Sequence, residues 1–94
     1  MLEKILIKET SIQSVGVNGN IKFLLQYYLT KQEDNIYGIE IVKKQQDSTC
    51  ESKHIFDILR GKENTLNILH MLFKNQVTPS TFEDVIEDFL GLNI

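Results

Sequence analysis

The hydrophobic residues of this chain change their spacing at about residue 60. Before that point apolar and aromatic side chains alternate with polar ones, as in strands, and after it they recur every three or four residues, as in helices. Strands that follow one another without helices between them pair antiparallel, because parallel pairing needs crossover connections. The pattern therefore predicts an α+β fold, with an antiparallel meander of three or four strands followed by two C-terminal helices packed on one face.

The clearest strand signal lies in residues 20–44. Apolar side chains at period two fall on one side of an extended chain. They are Ile21, Phe23, Leu25, Tyr27 and Leu29, then Tyr37, Ile39 and Ile41 after a polar turn. We expect these two runs to form a hairpin in which Tyr28 lies opposite Gly38, so that an aromatic ring covers the glycine.

The N-terminal stretch alternates well over residues 2–9, but its phase then slips. Asn18-Gly19 is a dipeptide preferred in two-residue hairpin turns. A turn there would place Ile12 opposite Leu25 on the core face and leave the earlier isoleucines on the other face. We therefore expect either a bulge near residues 10 and 11, or the end of the strand there, followed by a loop.

The C-terminal half contains one further strand and two helices. Residues 50–58 alternate, with His54, Phe56 and Ile58 predicted on one face. A helix over residues 63–76 has an apolar arc of roughly 220°, which is wider than one sheet face covers and predicts a second contact, with the last helix or with another subunit. The last helix has a start signal at Thr78 and Pro79 and a stop at Gly91. Its apolar face is Phe82, Val85, Ile86 and Phe89.

Composition limits the class of protein. The chain has 94 residues, a net charge of −3 and one cysteine. A length below ~150 residues predicts a single domain over 1–94, mainly β over 1–60 and mainly α over 61–94. No apolar run approaches the ~18 residues of a membrane span and no secretory leader is evident, so we expect a soluble cytoplasmic protein. A single cysteine excludes an internal disulfide, so stability rests on a small core, and self-association could add to it.

The sequence gives little evidence for a metal site or a catalytic site. In a strand, Cys50 and His54 would be ~13 Å apart and could not share a zinc ion. His70 lies in a polar helical stripe, as a solvated histidine would. No nucleophile elbow, oxyanion turn or phosphate-binding loop is present in the sequence. We expect no catalytic residue, no cofactor and no metal.

The acidic balance also argues against nucleic-acid binding. Basic residues are scattered among acidic ones and the pI is about 5.3, so the basic patch that phosphate contacts require is missing. Carboxylates on the last helix are read as solvated residues favoured by the helix dipole rather than as an acid–base pair.

The sheet face away from the helices gives the best interaction hypothesis. The predicted surface residues are Leu24, Tyr28, Ile36 and Val42. Exposed apolar patches mark protein contacts more often than catalysis. We therefore expect a non-enzymatic interaction or regulatory module that self-associates or binds a protein, through this face or by strand addition at an exposed edge. The alternative is a small-molecule-binding or enzymatic domain with a cleft between sheet and helices, using Tyr37, His54 or the acidic helix.

Two segments resemble a family of short bacterial proteins of unknown function. They are IYGIEIVKK, residues 36–44, and VTPSTFEDVIEDFL, residues 77–90. The second carries the pattern Thr-Pro, a spacer, an apolar residue and then Asp-Val-Ile-Glu-Asp-Phe. The resemblance implies a cytoplasmic bacterial origin and one compact domain, and it brings no activity or catalytic residue.

Overall fold

The computed structural model describes residues 2–16, 19–46 and 48–91. Its elements are β1 (Glu3–Gly16), β2 (Gly19–Glu33), β3 (Ile36–Gln45), β4 (Ser48–Ile55), α1 (Lys62–Lys74) and α2 (Pro79–Leu90). The strands form one antiparallel sheet in the order β1-β2-β3-β4. Helix α1 packs over β1, β2 and β3, and α2 over β3 and β4. The predicted α+β meander followed by two helices is confirmed, with four strands.

The core lies between the sheet and the two helices. Its fully buried apolar side chains are Leu25, Tyr27, Ile39, Ile41, Leu69, Leu72 and Phe82. Each such side chain stabilises the fold by roughly 1.5–3 kcal/mol relative to exposure. The Tyr27 ring meets Phe73 edge-on at 5.8 Å between centroids. The half-buried Leu66, Met71 and Phe73 of α1 also pack against this core, which uses much of the wide apolar arc of that helix.

Strand β1 continues past the point where the sequence pattern slips, and the expected bulge lies earlier. The register with β2 shifts between Leu6 and Lys8, and pairing then runs without interruption to Gly16. The extra residue of this bulge is Ile7, which has no partner in the register. Before the bulge Ile5 lies opposite Leu29 on the helix-facing side, and after it Ile12 lies opposite Phe23. The predicted bulge near residues 10 and 11, its alternative of a strand end followed by a loop, and the pairing of Ile12 with Leu25 are therefore wrong. Asn18 of the predicted turn lies outside the described residues.

The β2–β3 hairpin is confirmed, but its register differs from the predicted one by two residues. Gly38 pairs with Thr30 and Tyr28 pairs with Glu40. The tight turn at Asp34 and Asn35 and a register shift after Lys31 produce the difference. A two-residue shift leaves every side chain on its predicted face, which explains why the core positions were still correct.

Strand β4 ends at Ile55, three residues before the predicted end. Asp57 has a left-handed φ of 49°, and the chain leaves the sheet there. His54 and Phe56 stay together, with ring centroids 3.9 Å apart, whereas Ile58 is buried in the helix-side core. The prediction that Ile58 shares a face with them is wrong.

The limits of α2 agree with its sequence signals. Thr78 is the N-cap, Pro79 is the first helical residue, and Gly91 closes the helix with a left-handed φ of 69°. Phe82 and Ile86 are buried as expected, but Phe89 is 55% exposed, so the predicted apolar face does not extend to the last turn. In the described part of the chain, no helix combines the length and apolar character needed to cross a membrane.

Candidate interaction surface

The open face is defined here as the side of the sheet opposite α1 and α2. Leu24 and Tyr28 of β2 lie on it, half-buried, and Val42 of β3 lies beside them with only 6% exposure. Ile36 sits at the far end of β3, where it bridges to Arg60. Ile36 and Val42 are six residues apart on one strand, a span of ~20 Å. The four predicted residues therefore do not form one continuous apolar patch.

Polar side chains occupy the middle of the open face and are bonded to one another. The Lys4 ammonium lies 2.6 Å from a Glu40 carboxylate oxygen and 4.4 Å from the centre of the Tyr28 ring. The Tyr28 hydroxyl donates a hydrogen bond to the Gln26 amide oxygen at 3.1 Å, and the Gln26 amide nitrogen donates to Glu9 at 2.9 Å. This network links β1, β2 and β3 and fixes the side chains around Tyr28.

His54 lies next to this network and contacts two further side chains. Its Nε2 is 2.8 Å from the Thr30 hydroxyl, and its ring packs against Phe56 at an interplanar angle of 43°. Burial lowers the pKa of His54, opposed by the nearby Glu40 carboxylate and reinforced by the Lys4 ammonium. Thr30 is only 1% exposed, so its hydroxyl is poorly placed to attack a substrate.

The structure separates the residues of the predicted cleft. Tyr37 pairs with Lys31, on the helix-facing side of the sheet, whereas His54 lies on the open face. The core described above occupies the space between sheet and helices, except for a cavity of about 130 Å³ at its edge that Ile5, Tyr37 and Lys62 help to line and His54 does not. Tyr37 and His54 therefore do not line a common site.

The soft metal ligands of the sequence also lie apart. Cys50 is an exposed free thiol on β4, and His70 is exposed on α1. Among residues 2–16, 19–46 and 48–91, no group of three or more His, Cys, Asp or Glu side chains could hold a metal ion.

Exposed apolar side chains are concentrated at the start of β1, which is an edge strand. Leu2, Ile5 and Leu6 are 45%, 53% and 43% exposed. Ile5 projects on the helix-facing side with Leu29, and Leu6 on the open face with Tyr28. Ile5 and Leu6 face opposite sides by ordinary strand alternation. The sequence pattern instead predicts Ile5 on the side away from the helices, because it puts the bulge near residues 10 and 11 and not between Leu6 and Lys8.

Comparison with known proteins gives a family but no characterised relative. No curated protein and no solved structure matches the chain. One family model matches residues 5–92, which include all four strands in large part and both helices. The chain therefore belongs to DUF6514, a family of unknown function.

Proposed function

We propose that this chain is a non-enzymatic protein-interaction module, and that it self-associates by pairing the outer edge of β1 with β1 of a second copy. The observation that carries this proposal is the exposure of Ile5 and Leu6, neighbours on one edge strand whose side chains project to opposite faces of the sheet.

The two-sided exposure favours addition of a strand over docking on a face. A partner that covered the open face would bury Leu6 and leave Ile5 in water. A strand added beside β1 would extend both faces of the sheet and bring new side chains next to both residues. It would also pair the backbone N–H and C=O groups that an edge strand presents to solvent.

The charges of β1 distinguish the two antiparallel self-pairings that are centred on Ile5 and on Leu6. A two-fold axis at Leu6 would place Lys4 opposite Lys8 and Glu3 opposite Glu9 of the second copy. Like charges directly opposite one another destabilise a ladder. An axis at Ile5 places the two copies of that isoleucine opposite each other and Lys4 opposite Leu6, with no like-charge pair. We infer that the second register is the one used.

Sedimentation velocity over a hundred-fold concentration range tests the association. The wild-type chain should shift from monomer to dimer as its concentration rises. Ile5→Lys should weaken dimerisation by about tenfold or more, equivalent to ~1.4 kcal/mol, because it buries a charge at the axis. Phe89→Lys is the matched control, since Phe89 is equally exposed but lies on α2, and it should leave the dissociation constant unchanged.

Disulfide trapping tests the register. In a Cys50→Ser background, Ile5→Cys should cross-link two copies under mild oxidation, because residues opposite each other across a ladder have Cβ atoms ~4.5–5.5 Å apart. Ile21→Cys, also exposed but on β2, should not. A chain that stays monomeric at every concentration, or cross-linking that is equal at both positions, would contradict the proposal.

We also infer a cytoplasmic, bacterial setting for this module. Support comes from the resemblance of residues 77–90 to short bacterial proteins and from a free, exposed Cys50 in a fold that uses no disulfide among its described residues. Fractionation of the native cells with an antibody to the chain tests the location, and recovery outside the cytoplasm would contradict it.

A further inference from the structure

A second feature of the open face is a cavity of about 270 Å³ at the end of the sheet where β1 and β2 extend furthest. We call it the distal cavity, and its lining residues are Ser11, Lys22, Phe23, Leu24, Lys44 and Gln46. Its volume is close to the lower limit of ~300 Å³ for ligand pockets. We propose that the distal cavity binds a small organic anion, a carboxylate or phosphate ester whose hydrocarbon part lies on Leu24.

The strand register places the two lysines of this site next to one apolar residue, Leu24. Leu24 lies between Ser11 of β1 and Lys44 of β3, both directly opposite it. Lys22 is two residues from Leu24 on the same strand and face, so it is a diagonal neighbour of Lys44 at roughly 7–8 Å. The two lysines thus bring like charges to one end of the face, and an anion bound between them would reduce their repulsion.

The charge of the distal cavity distinguishes it from the other surface cavities. Lys31 and Lys62 line a cavity that also contains Glu3, and a third cavity includes three acidic side chains. Among the described residues, the lining of the distal cavity contains two lysines and no acid. Neither Lys22 nor Lys44 forms an ion pair with any residue in the described ranges. The described residues that line this cavity are thus cationic, in a chain of net charge −3.

The strands that carry the cavity are also joined to one another on the opposite face of the sheet. Lys43 lies with its ammonium 4.2 Å from the centre of the Phe23 ring and 3.6 Å from Glu51. The pairing of β3 with β4 shifts register between Lys43 and Lys44, which leaves Cys50 as an extra residue beside Lys44. Bulges of this kind change the direction of nearby side chains and often lie next to binding sites.

Titration of the isotope-labelled full-length chain by two-dimensional NMR tests the proposal, at constant ionic strength. The probes are benzoate and phenyl phosphate, with inorganic phosphate and benzyl alcohol to separate the contributions of charge and hydrocarbon. We expect saturable shifts of the Ser11, Leu24 and Lys44 amides with the two aromatic anions. Inorganic phosphate and benzyl alcohol should bind at least about fivefold more weakly, because each supplies only one of the two contacts.

Charge-matched double variants decide whether the cavity or the net charge is responsible. Lys22→Gln/Lys44→Gln should raise the dissociation constant by about tenfold. Lys62→Gln/Lys74→Gln changes the net charge equally at exposed helical positions and should leave it unchanged. Shifts that grow linearly without saturation, or equal losses in the two double variants, would overturn the proposal. The result is independent of the β1 pairing, since the titration can be made on the Ile5→Lys variant.

Discussion

The hydroxyl of Tyr27 donates a 2.8 Å hydrogen bond to the carbonyl oxygen of Val77, fifty residues away in the segment between the two helices. The tyrosine is fully buried in the centre of the sheet, and Val77 is 6% exposed. This bond joins the middle of β2 to the point where the chain reverses between α1 and α2. It therefore fixes the helical layer on the sheet at a position that no local sequence signal specifies.

Removal of this hydroxyl should destabilise the protein. Tyr27→Phe keeps the ring contact with Phe73 but leaves the Val77 carbonyl buried without a partner, at a cost of about 1–3 kcal/mol. For a domain of this size each kcal/mol lowers the melting temperature by roughly 4–8 °C. Tyr37→Phe is the control, because its hydroxyl makes no hydrogen bond with the described residues. Differential scanning calorimetry should show a clear loss for the first variant and little change for the second.

The same tyrosine should make stability sensitive to alkali. Burial raises the pKa of Tyr27 to about 12, against ~10 in the unfolded chain. Between these values the unfolded chain loses a proton that the folded chain keeps, so stability should fall as pH rises from about 10 towards 12. The urea midpoint, measured below and within this range, should fall less in Tyr27→Phe than in wild type. Equal slopes in the two proteins would mean that Tyr27 does not carry the effect.

Gly38 should be intolerant of any side chain. A Cβ atom at this position would lie 2.5 Å from the Ile55 carbonyl oxygen and 2.9 Å from the Thr30 hydroxyl. The nearer atom is backbone and cannot rotate away, so Gly38→Ala should cost about 1–3 kcal/mol by overpacking. Ser52→Ala, at an exposed position of the adjacent strand, should stay within ~0.5 kcal/mol of wild type. A Gly38→Ala protein with wild-type urea stability would contradict the crowding.

The sequence was sufficient for the elements whose signals are local. The limits of α2 follow from Thr78, Pro79 and Gly91, whose conformational preferences act within one turn. The buried face of β2 and β3 follows from period-two alternation, which survives a two-residue error in register. These features needed no knowledge of distant contacts.

The features that the sequence did not predict depend on contacts between distant parts of the chain. The bulge at Leu6 and Lys8 is set by pairing with β2, and nothing in the sequence near residue 7 marks it. The hydrogen bond between Thr30 and His54 joins residues that are 24 positions apart in the sequence. It crosses β3 at Gly38, the residue that pairs with Thr30. Phe89 fits the apolar period of α2, but its exposure depends on where the contact between helix and sheet ends. Each case required a register or a boundary that side-chain periodicity alone leaves open.

Protonation of His54 should weaken the fold in mild acid. The groups around its ring are the Thr30 hydroxyl, the Phe56 ring, the Glu40 carboxylate and the Lys4 ammonium, and burial lowers the pKa of His54 below its ordinary value of 6.5. The unfolded chain therefore takes up this proton at a higher pH than the folded chain. Stability from this source should fall as pH drops below about 6.5 and become constant once the folded form is also protonated.

Carboxylates also titrate in acid, so the histidine contribution has to be isolated by substitution. Urea unfolding of wild type between about pH 7.5 and pH 5 should show a steeper loss of stability than His54→Gln, which has no ring to protonate. His70→Gln removes the exposed histidine of α1 and should keep the wild-type slope. If His54→Gln and wild type lose stability in parallel, the lowered pKa has no consequence for folding and the Thr30 contact holds the ring equally well in both charge states.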